Sequence, residues 1–103
     1  MNAQTEQSPG IKERDQVRER EPHMYGVVFF NDDFTTMEFV VSVLKLVFHK
    51  TEAEAQTLML AVHKAGSALV GTYTFDIAMT KKEKAIQLAR SERYPLHIEV
   101  REM

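Results

Sequence analysis

Cysteine is absent from the 103-residue sequence, and so is any apolar run of about eighteen residues, the minimum for a transmembrane helix. Without cysteine the chain cannot form disulfides, and thiolate metal sites and thiol catalysis are excluded as well. The short apolar runs predict no transmembrane helix. A net charge of −2 means that the basic excess typical of a general nucleic-acid binder is also missing.

What the chain does contain is typical of one globular domain. Its 44% hydrophobic and 27% charged residues are ordinary proportions for a soluble protein of this length. The beginning of the chain lacks the apolar core of a signal peptide, since Ile11 and Val17 are its only branched aliphatic residues. We therefore expect a cytoplasmic protein.

The composition changes near residue 23. Residues 1–23 are polar and densely charged, and charges of both signs alternate along residues 12–15 and 18–21. Such a segment buries too little apolar surface to offset the entropy lost when it orders. We expect residues 1–23 to be a disordered extension and residues 24–103 to form the folded domain. Either a solubilising leader or a partner-binding arm would have this composition.

A strand and then a helix are predicted after the extension. Tyr25 to Phe30 is a short run of aromatic and β-branched residues, which is typical of a buried strand. Thr35 stands three residues before Glu38, the spacing of a capping box, so we expect a helix to begin there. The apolar residues that follow at helical spacing are Met37, Val40, Val41, Leu44, Val47 and Phe48.

A second helix and a second strand come next. Thr51 and Glu54 have the spacing of another capping box, and Gly66 is placed to end the helix that starts there. Residues 68–74 then resemble a strand, in which Gly71 indicates a bulge or a close approach of another group. The residues expected on the inner side of this helix are Ala55, Leu58, Met59, Val62 and Ala65.

A third helix is predicted over residues 75–91, and residues 96–100 alternate between apolar and polar side chains as a half-buried strand does. The order strand, helix, helix, strand, helix, strand predicts a compact α/β (α+β) domain. We expect a three-stranded antiparallel sheet packed on three helices. On the third helix the outward residues are Lys81, Lys82 and Lys84, and the inward residues are Ala78, Ala85, Ile86 and Ala89.

The turn between the first strand and the first helix carries the most chemistry. Residues 31–35 bring amide, carboxylate and hydroxyl oxygens together where rigid scaffolds often present binding groups. If the first two helices form a hairpin, this turn comes near His63, which shares a helix face with Met59. Amide, carboxylate and neutral imidazole acceptors would suit the three donors of an ammonium group. The apolar residues expected around such a site are Met37, Val40, Met59 and Val62.

Each of these features also has a simpler interpretation. Asn and Asp are common in turns because their side chains bond to their own backbone, and a histidine or methionine on a helix is often a core residue. Asp32, Asp33 and His63 could instead hold a divalent ion in a hydrolase, although no activated nucleophile accompanies them. A protein-interaction domain that does not read peptide termini is a further alternative.

Taken together, these segments closely resemble the ClpS family, the bacterial adaptors of the N-end rule. The segments that carry the match are VVFFNDDFTTMEFV at 27–40, LMLAVHKAG at 58–66, Gly71, and YPL at 94–96. The resemblance implies a non-enzymatic adaptor with no cofactor and no metal. It would bind substrate proteins whose first residue is Leu, Phe, Tyr or Trp and deliver them to the unfoldase ClpA for degradation by ClpP.

The resemblance also implies roles for particular residues. Thr35 would contact the peptide near its first residue, and Met37 would be the gate that excludes β-branched first residues. The residues that would hold the substrate's α-amino group are Asn31, Asp32, Asp33 and His63. Those that would line the side-chain pocket with Met37 are Val40, Met59, Val62 and Leu96.

A second surface is implied for the unfoldase. Asp76 and Lys81 match positions that the family uses to dock on the N-terminal domain of ClpA. The extension before Met24 matches the family only in kind, and it would be the piece that the unfoldase engages during hand-off. We expect a monomer with no nucleic-acid partner and no membrane partner.

One position departs from the family pattern, since the family usually has proline where this chain has Thr36. Proline is favoured at the first helical position because its φ is preset and its missing N–H is not needed there. Thr36 gives up that rigidity and adds a hydroxyl beside Met37. We expect the fold to survive, with Thr35 and Glu38 as the cap. The ranking among Leu, Phe, Tyr and Trp is the property that this departure leaves open.

Overall fold

The computed structural model describes residues 23–103. The predicted disordered extension, residues 1–23, lies outside the described residues except for His23, so the division into an extension and a domain stays a prediction. The order of elements is the one that the sequence predicted. The elements are β1 Tyr25–Phe30, α1 Met37–Leu46, α2 Glu52–Ala65, β2 Ser67–Tyr73, α3 Phe75–Ser91 and β3 His97–Glu102.

The three strands form one antiparallel sheet with β1 in the centre and with β2 and β3 at its edges. Alternate residues of β1 point toward the helices, and two of them, Val27 and Phe29, are completely buried. Val100 lies opposite Val27, and Ile98 lies opposite Phe29, so the apolar face continues across β3. The predicted three-stranded antiparallel sheet, packed on helices, is confirmed.

The pairing of β1 with β2 is irregular beside Gly71. Val27 lies opposite Gly71 while Val28 lies opposite Leu69, so Val70 is an extra residue on β2. Gly71 also permits a close approach, because a Cβ atom there would lie 2.6 Å from a tyrosine hydroxyl oxygen on the same strand. The predicted bulge is therefore present, one residue before Gly71, and the predicted close approach of another group to Gly71 is present as well.

The hydrophobic core lies between the sheet and the helices. Val47 and Phe48, which the sequence placed on the first helix, are buried in this core just after α1 has ended. Within residues 23–103 no polar or charged side chain is fully buried, so the core is held by apolar packing. Its largest fully buried side chains are Phe29, Leu44, Leu96, Ile98, Val27 and Val43.

The predicted capping box at the start of α1 is wrong by one residue. Thr36, not Thr35, is the N-cap, and its hydroxyl oxygen accepts a 3.1 Å hydrogen bond from the Phe39 N–H. Thr35 is not free to cap the helix, because its backbone N–H and its hydroxyl both donate to the Asp32 carboxylate. Thr36 thus has the stabilising role that the sequence had assigned to its neighbour.

The predictions for α2 are confirmed at both ends. Thr51 and Glu54 form a reciprocal capping box, and Gly66 ends the helix with a left-handed φ of 91°. One prediction for its inner side is wrong, because Ala65 is exposed where the chain turns away into β2. The other predicted inner residues, which are buried or half-buried, are Ala55, Leu58, Met59 and Val62.

The third helix, α3, has the predicted bounds, Phe75 to Ser91. It packs on the sheet mainly through small side chains, which let a helix approach a neighbouring layer closely. Among residues 23–103 there is no helix that is long and apolar enough to span a lipid bilayer. The predicted inner residues are Ala78, Ala85 and Ala89, which are fully buried, and Ile86, which is half-buried.

Candidate functional site

A cleft of about 350 Å³ lies where the turn after β1 meets the two helices α1 and α2. The polar residues around its opening, here called the rim, belong to the turn and to the end of α2. The apolar residues beneath them, here called the floor, belong to both helices. The turn contributes residues 31–36, α1 contributes Met37 and Val40, and α2 contributes Met59, Val62 and His63.

A backbone hydrogen bond joins the end of β1 to the end of α2. The Asn31 N–H donates to the Gly66 carbonyl oxygen over 2.9 Å. Because His63 lies on the last turn of α2, this bond brings its imidazole to the same cleft as Asn31. The helical hairpin that the sequence could only assume therefore does bring the turn and His63 together.

The Asp32 carboxylate organises the turn. One of its oxygens accepts from the N–H groups of Phe34 and Thr35, at 2.8 and 2.7 Å, and the other accepts from the Thr35 hydroxyl at 2.7 Å. Since a carboxylate has about four acceptor positions, most of them are occupied within the turn. Partial burial alone would raise the pKa of Asp32, but these hydrogen bonds, with a smaller effect from the charge of Arg90, lower the pKa below its ordinary value.

Three other polar side chains on the rim are not occupied in this way. Asn31, Asp33 and His63 are exposed, and their side chains make no hydrogen bond to another residue of the described part of the chain. They offer an amide oxygen, a carboxylate and an imidazole nitrogen, a set of acceptors that matches a group with three N–H donors and a positive charge.

The floor of the cleft is apolar. Val40, Met59 and Val62 are buried, whereas Met37, the first residue of α1, is 43% exposed at the entrance. Methionine adapts its shape through three rotatable bonds and makes favourable contacts with aromatic rings. A leucine- or phenylalanine-sized side chain would gain roughly 1.5–3 kcal/mol from complete burial in such a hollow.

One residue that the resemblance assigned to the pocket, Leu96, does not line this cleft. Its side chain is only 1% exposed and belongs to the central core, and its carbonyl oxygen accepts from the Arg90 guanidinium. The loop that contains it packs on α1 through the rings of Tyr94 and Phe39, whose centroids lie 5.0 Å apart. Leu96 therefore anchors a loop that supports α1.

Two residues that line the cleft were not among the predicted site residues. Phe34 is 74% exposed in the middle of the turn, and Thr36 is the N-cap of α1. An aromatic residue within an otherwise polar turn is the signal that could have found Phe34. Thr36 was noticed as a departure from the family, but its cap role was hidden because Thr35 has the matching spacing to Glu38.

The two residues expected to dock on an unfoldase lie at a second cleft, of about 260 Å³, which shares no lining residue with the first. Asp76 is exposed, but Lys81 is half-buried and does not point freely outward as predicted. Its ammonium donates to the Val47 carbonyl oxygen over 2.8 Å and lies 5.9 and 5.5 Å from the ring centroids of Phe48 and Tyr73. The other lining residues are Leu46, Val47, His49, Ile77, Thr80 and Lys84.

Within residues 23–103, no three histidine, cysteine, aspartate or glutamate side chains are grouped so that they could hold a metal ion. Asp32, one of the three ligands in the hydrolase alternative, uses both carboxylate oxygens to hold the turn. That alternative therefore has no ligand cluster in this part of the chain.

The fold and the cleft together define a class of small α/β domain, in which a strand-to-helix turn and two helices enclose one cleft with a polar rim and an apolar floor. Residues 20–99 match the family model described as "ATP-dependent Clp protease adaptor protein ClpS". The chain belongs to this family, and the resemblance stated from the sequence is confirmed.

Individual relatives agree with this assignment. The ATP-dependent Clp protease adapter protein ClpS of Acetivibrio thermocellus is 45% identical over 86 residues, which cover 84% of this chain and 87% of the relative. The protein of the same name from Treponema denticola is 49% identical over 80 residues, covering 78% of this chain and 79% of the relative.

A solved structure is also similar to this chain. ClpS2 of Agrobacterium tumefaciens, bound to L-phenylalaninamide, matches with a TM-score of 0.78 and 37% sequence identity. The match covers 81% of this chain and 100% of that one. The fold described above is therefore the fold of a solved family member.

Proposed function

We propose that this chain is a non-enzymatic adaptor that reads the N-terminus of substrate proteins and delivers them to a ClpA-type unfoldase for proteolysis. It binds the free α-amino group together with a large hydrophobic first residue, Leu, Phe, Tyr or Trp. The observation that carries this proposal is the cleft itself. Exposed acceptors on its rim accompany an apolar floor, and a chain beginning with such a residue has the complementary pair of features.

The α-amino group binds at the rim. Asn31, Asp33 and His63 accept its three N–H donors, and the carboxylate of Asp33 balances its charge. Hydrogen bonds to a charged group contribute about 1.5–3 kcal/mol each, so three of them give strong preference for a free terminus. Asp32 has a different task, because it holds the turn that presents these acceptors, and Thr35 contacts the peptide near its first residue.

The first side chain enters the hollow above Val40, Met59 and Val62. Met37 stands at the entrance and is the gate, because a side chain branched at Cβ is widest where the passage is narrowest. A leucine or aromatic side chain is not branched at Cβ and carries its bulk further from the backbone, so it passes the gate. Size and branching of the first residue, rather than hydrogen bonding, therefore set this part of the specificity.

The similarity to the ClpS2 structure supports this assignment. L-phenylalaninamide has a free amino group, a benzyl side chain and an amide in place of the next peptide bond. It thus stands for the first residue of a chain that begins with Phe. A family member 37% identical to this chain holds that ligand, and this chain has a cleft of matching chemistry.

Delivery requires a second surface, for which the cleft at Asp76 and Lys81 is the candidate. Exposed apolar residues, Leu46 and Ile77, lie beside charges of both signs there, as in many interfaces between proteins. Because this cleft is separate from the first, a substrate and an unfoldase can be bound at the same time. The expected partner is the N-terminal domain of the unfoldase.

A panel of peptides tests the proposed reading of the terminus. The peptides are labelled with fluorescein at the far end and differ only in the first residue, and affinity is measured by anisotropy. Leu, Phe, Tyr and Trp should bind, and Ile, Val and Ala should bind at least about tenfold more weakly. Equal affinity across the panel would contradict the proposal and favour a domain that does not read termini.

A reconstituted degradation assay tests delivery. A stable reporter that begins with Phe should be degraded by the unfoldase and its protease only when the adaptor is present. A reporter that begins with Ala serves as the control and should survive. Equal loss of both reporters with and without the adaptor would show that delivery is not its function.

A further inference from the structure

Tyr94, which does not line the cleft, contacts the first turn of α1 in two ways. Its ring packs on the Phe39 ring at a centroid distance of 5.0 Å, with the two planes inclined at 59°. Its hydroxyl oxygen accepts a long hydrogen bond, of 3.5 Å, from the Thr36 hydroxyl. The loop after α3 is thereby connected to the residue that caps α1.

The backbone of this loop is held in place by hydrogen bonds to α3. The Arg90 guanidinium donates to the Tyr94 carbonyl oxygen at 2.7 Å and to the Leu96 carbonyl oxygen at 3.3 Å. The Tyr94 N–H donates in turn to the Ala89 carbonyl oxygen at 2.8 Å. Since Leu96 is also fixed in the core, the backbone of Tyr94 is anchored to α3 and to the core.

The Thr36 hydroxyl therefore has two partners, one on each side. It accepts from the Phe39 N–H as the helix cap, and at 3.5 Å it makes a longer and weaker contact with the Tyr94 hydroxyl oxygen. Met37 is the next residue and is not held by burial, since nearly half of it is exposed. Its placement at the cleft depends on how the helix begins.

We propose that Tyr94 is a positioning residue for the first-residue pocket. Acting through Thr36, it fixes the start of α1 and sets how far Met37 closes the entrance. It thereby sharpens the discrimination between first residues that are unbranched at Cβ and those that are branched. This inference rests on the proposed function, because only a protein that reads the first residue has such a discrimination.

The contact depends on the residue at position 36. Proline carries no hydroxyl and cannot donate to Tyr94. The Thr36→Pro variant is therefore a suitable partner in a double-mutant cycle. The backbone accommodates it, because φ of Thr36 is −74°, close to the value of about −65° that proline requires.

The test is a cycle of Tyr94→Phe, Thr36→Pro and the double variant in the full chain, with affinities for two peptides that begin with Leu and Ile. Tyr94→Phe keeps the ring and removes only the hydroxyl. It should lower the ratio of Leu to Ile affinity roughly two- to fivefold, because one weak hydrogen bond is lost. In the Thr36→Pro background the same change should have no effect.

One further variant serves as a control. Tyr25→Phe removes a hydroxyl from a ring that packs on Phe75 instead, and it should leave the ratio unchanged. Thermal melts identify a variant that fails to fold, and Thr36→Val then replaces Thr36→Pro as the background without a hydroxyl.

The inference is overturned if Tyr94→Phe changes the ratio equally in both backgrounds, or if it weakens both peptides by the same factor. Either result would leave Tyr94 with a general structural role. The failure of the proposed function has a different signature, namely that the unaltered protein binds neither the Leu peptide nor a Phe peptide. That result is obtained before any variant is made.

Discussion

At the scale of the residue, two neighbouring aspartates have different surroundings and therefore different capacities. Asp32 accepts hydrogen bonds from its own turn through both carboxylate oxygens. Asp33 is exposed, with no such partner among residues 23–103. The sequence shows two identical side chains in a row, so it could not assign them separate roles. The geometry makes Asp33 the candidate for binding the substrate's amino group and Asp32 the residue that shapes the turn.

This difference gives a matched pair of variants. Asp33→Asn should weaken the binding of a peptide with a free N-terminus roughly tenfold or more while leaving the melting temperature unchanged, because a charge-assisted hydrogen bond is lost at an exposed site. Asp32→Asn should lower both the affinity and the melting temperature, since the Thr35 hydroxyl loses its acceptor. Anisotropy titrations and thermal melts measure both effects. A large drop in melting temperature for Asp33→Asn alone would contradict the assignment.

The lowered pKa of Asp32 also predicts how the unfolding free energy depends on pH. A carboxyl whose pKa is lower in the folded state contributes stability that is fully present above its unfolded pKa, about 3.9, and is lost as the pH falls through the folded value. The difference in unfolding free energy between the protein and Asp32→Asn should therefore be constant between about pH 7 and pH 5, and should shrink near pH 3. Urea titrations at the three pH values measure it. A difference that already shrinks between pH 7 and pH 5 would contradict this account.

At the scale of the element, helix caps show where sequence patterns are reliable. Thr51 and Glu54 form the predicted capping box, in which the Thr51 hydroxyl oxygen accepts from the Glu54 N–H and the Glu54 carboxylate accepts from the Thr51 N–H. Thr35 has the same spacing to Glu38 but lies three residues after Asp32, whose carboxylate takes both of its donors. Thr36 therefore caps the helix instead. Spacing predicts that a helix begins here, but the competition between two turn residues decides at which residue.

Lys81 of α3 binds the end of α1. A mutation of Lys81 is therefore expected to change the stability of the fold as well as any docking. Lys81→Met should lower the melting temperature by a few degrees, because the Val47 carbonyl oxygen loses a donor and the Phe48 and Tyr73 rings lose a cation. Lys84→Met is the matched control, since Lys84 lines the same cleft but is exposed. It should leave the melting temperature unchanged.

The comparison of the two lysine variants also determines how the delivery assay is interpreted. A loss of delivery with Lys81→Met indicates a docking role only if binding of the substrate peptide and the folded fraction remain normal. Equal melting temperatures of the two lysine variants would contradict the structural role of Lys81 described here.

At the scale of the whole molecule, the element order and the sheet could be predicted because the local signals agree. Hydrophobic periodicity, glycine positions and the spacing of capping residues all indicated the same six elements. The site was harder to predict, because its parts lie on the turn after β1, on α1 and on α2, and the turn meets the end of α2 through the bond between Asn31 and Gly66. Leu96, assigned from the resemblance alone, lies in the core, while Phe34 was passed over as a turn residue.

The predicted division of the chain leads to another test. A chain that begins at His23 should keep the melting temperature and the peptide affinity of the full chain, because the cleft is built entirely from residues 31–63. If the extension is the piece that the unfoldase engages, the shortened chain should no longer support degradation of the Phe reporter. Replacing residues 1–22 by a flexible Gly/Ser segment of equal length separates length from sequence. A loss of peptide affinity in the shortened chain would contradict the division.

The most direct measurement compares one peptide in two forms, with a free N-terminal Phe and with the same Phe acetylated. Acetylation removes the charge and most of the donors but leaves the ring, so it separates the rim of the cleft from its floor. We expect the free peptide to bind with a dissociation constant of about 1 μM, and the acetylated peptide to bind about a hundredfold more weakly or worse. Equal binding of both forms would show that Asn31, Asp33 and His63 do not read an amino group, and the proposed function would be wrong.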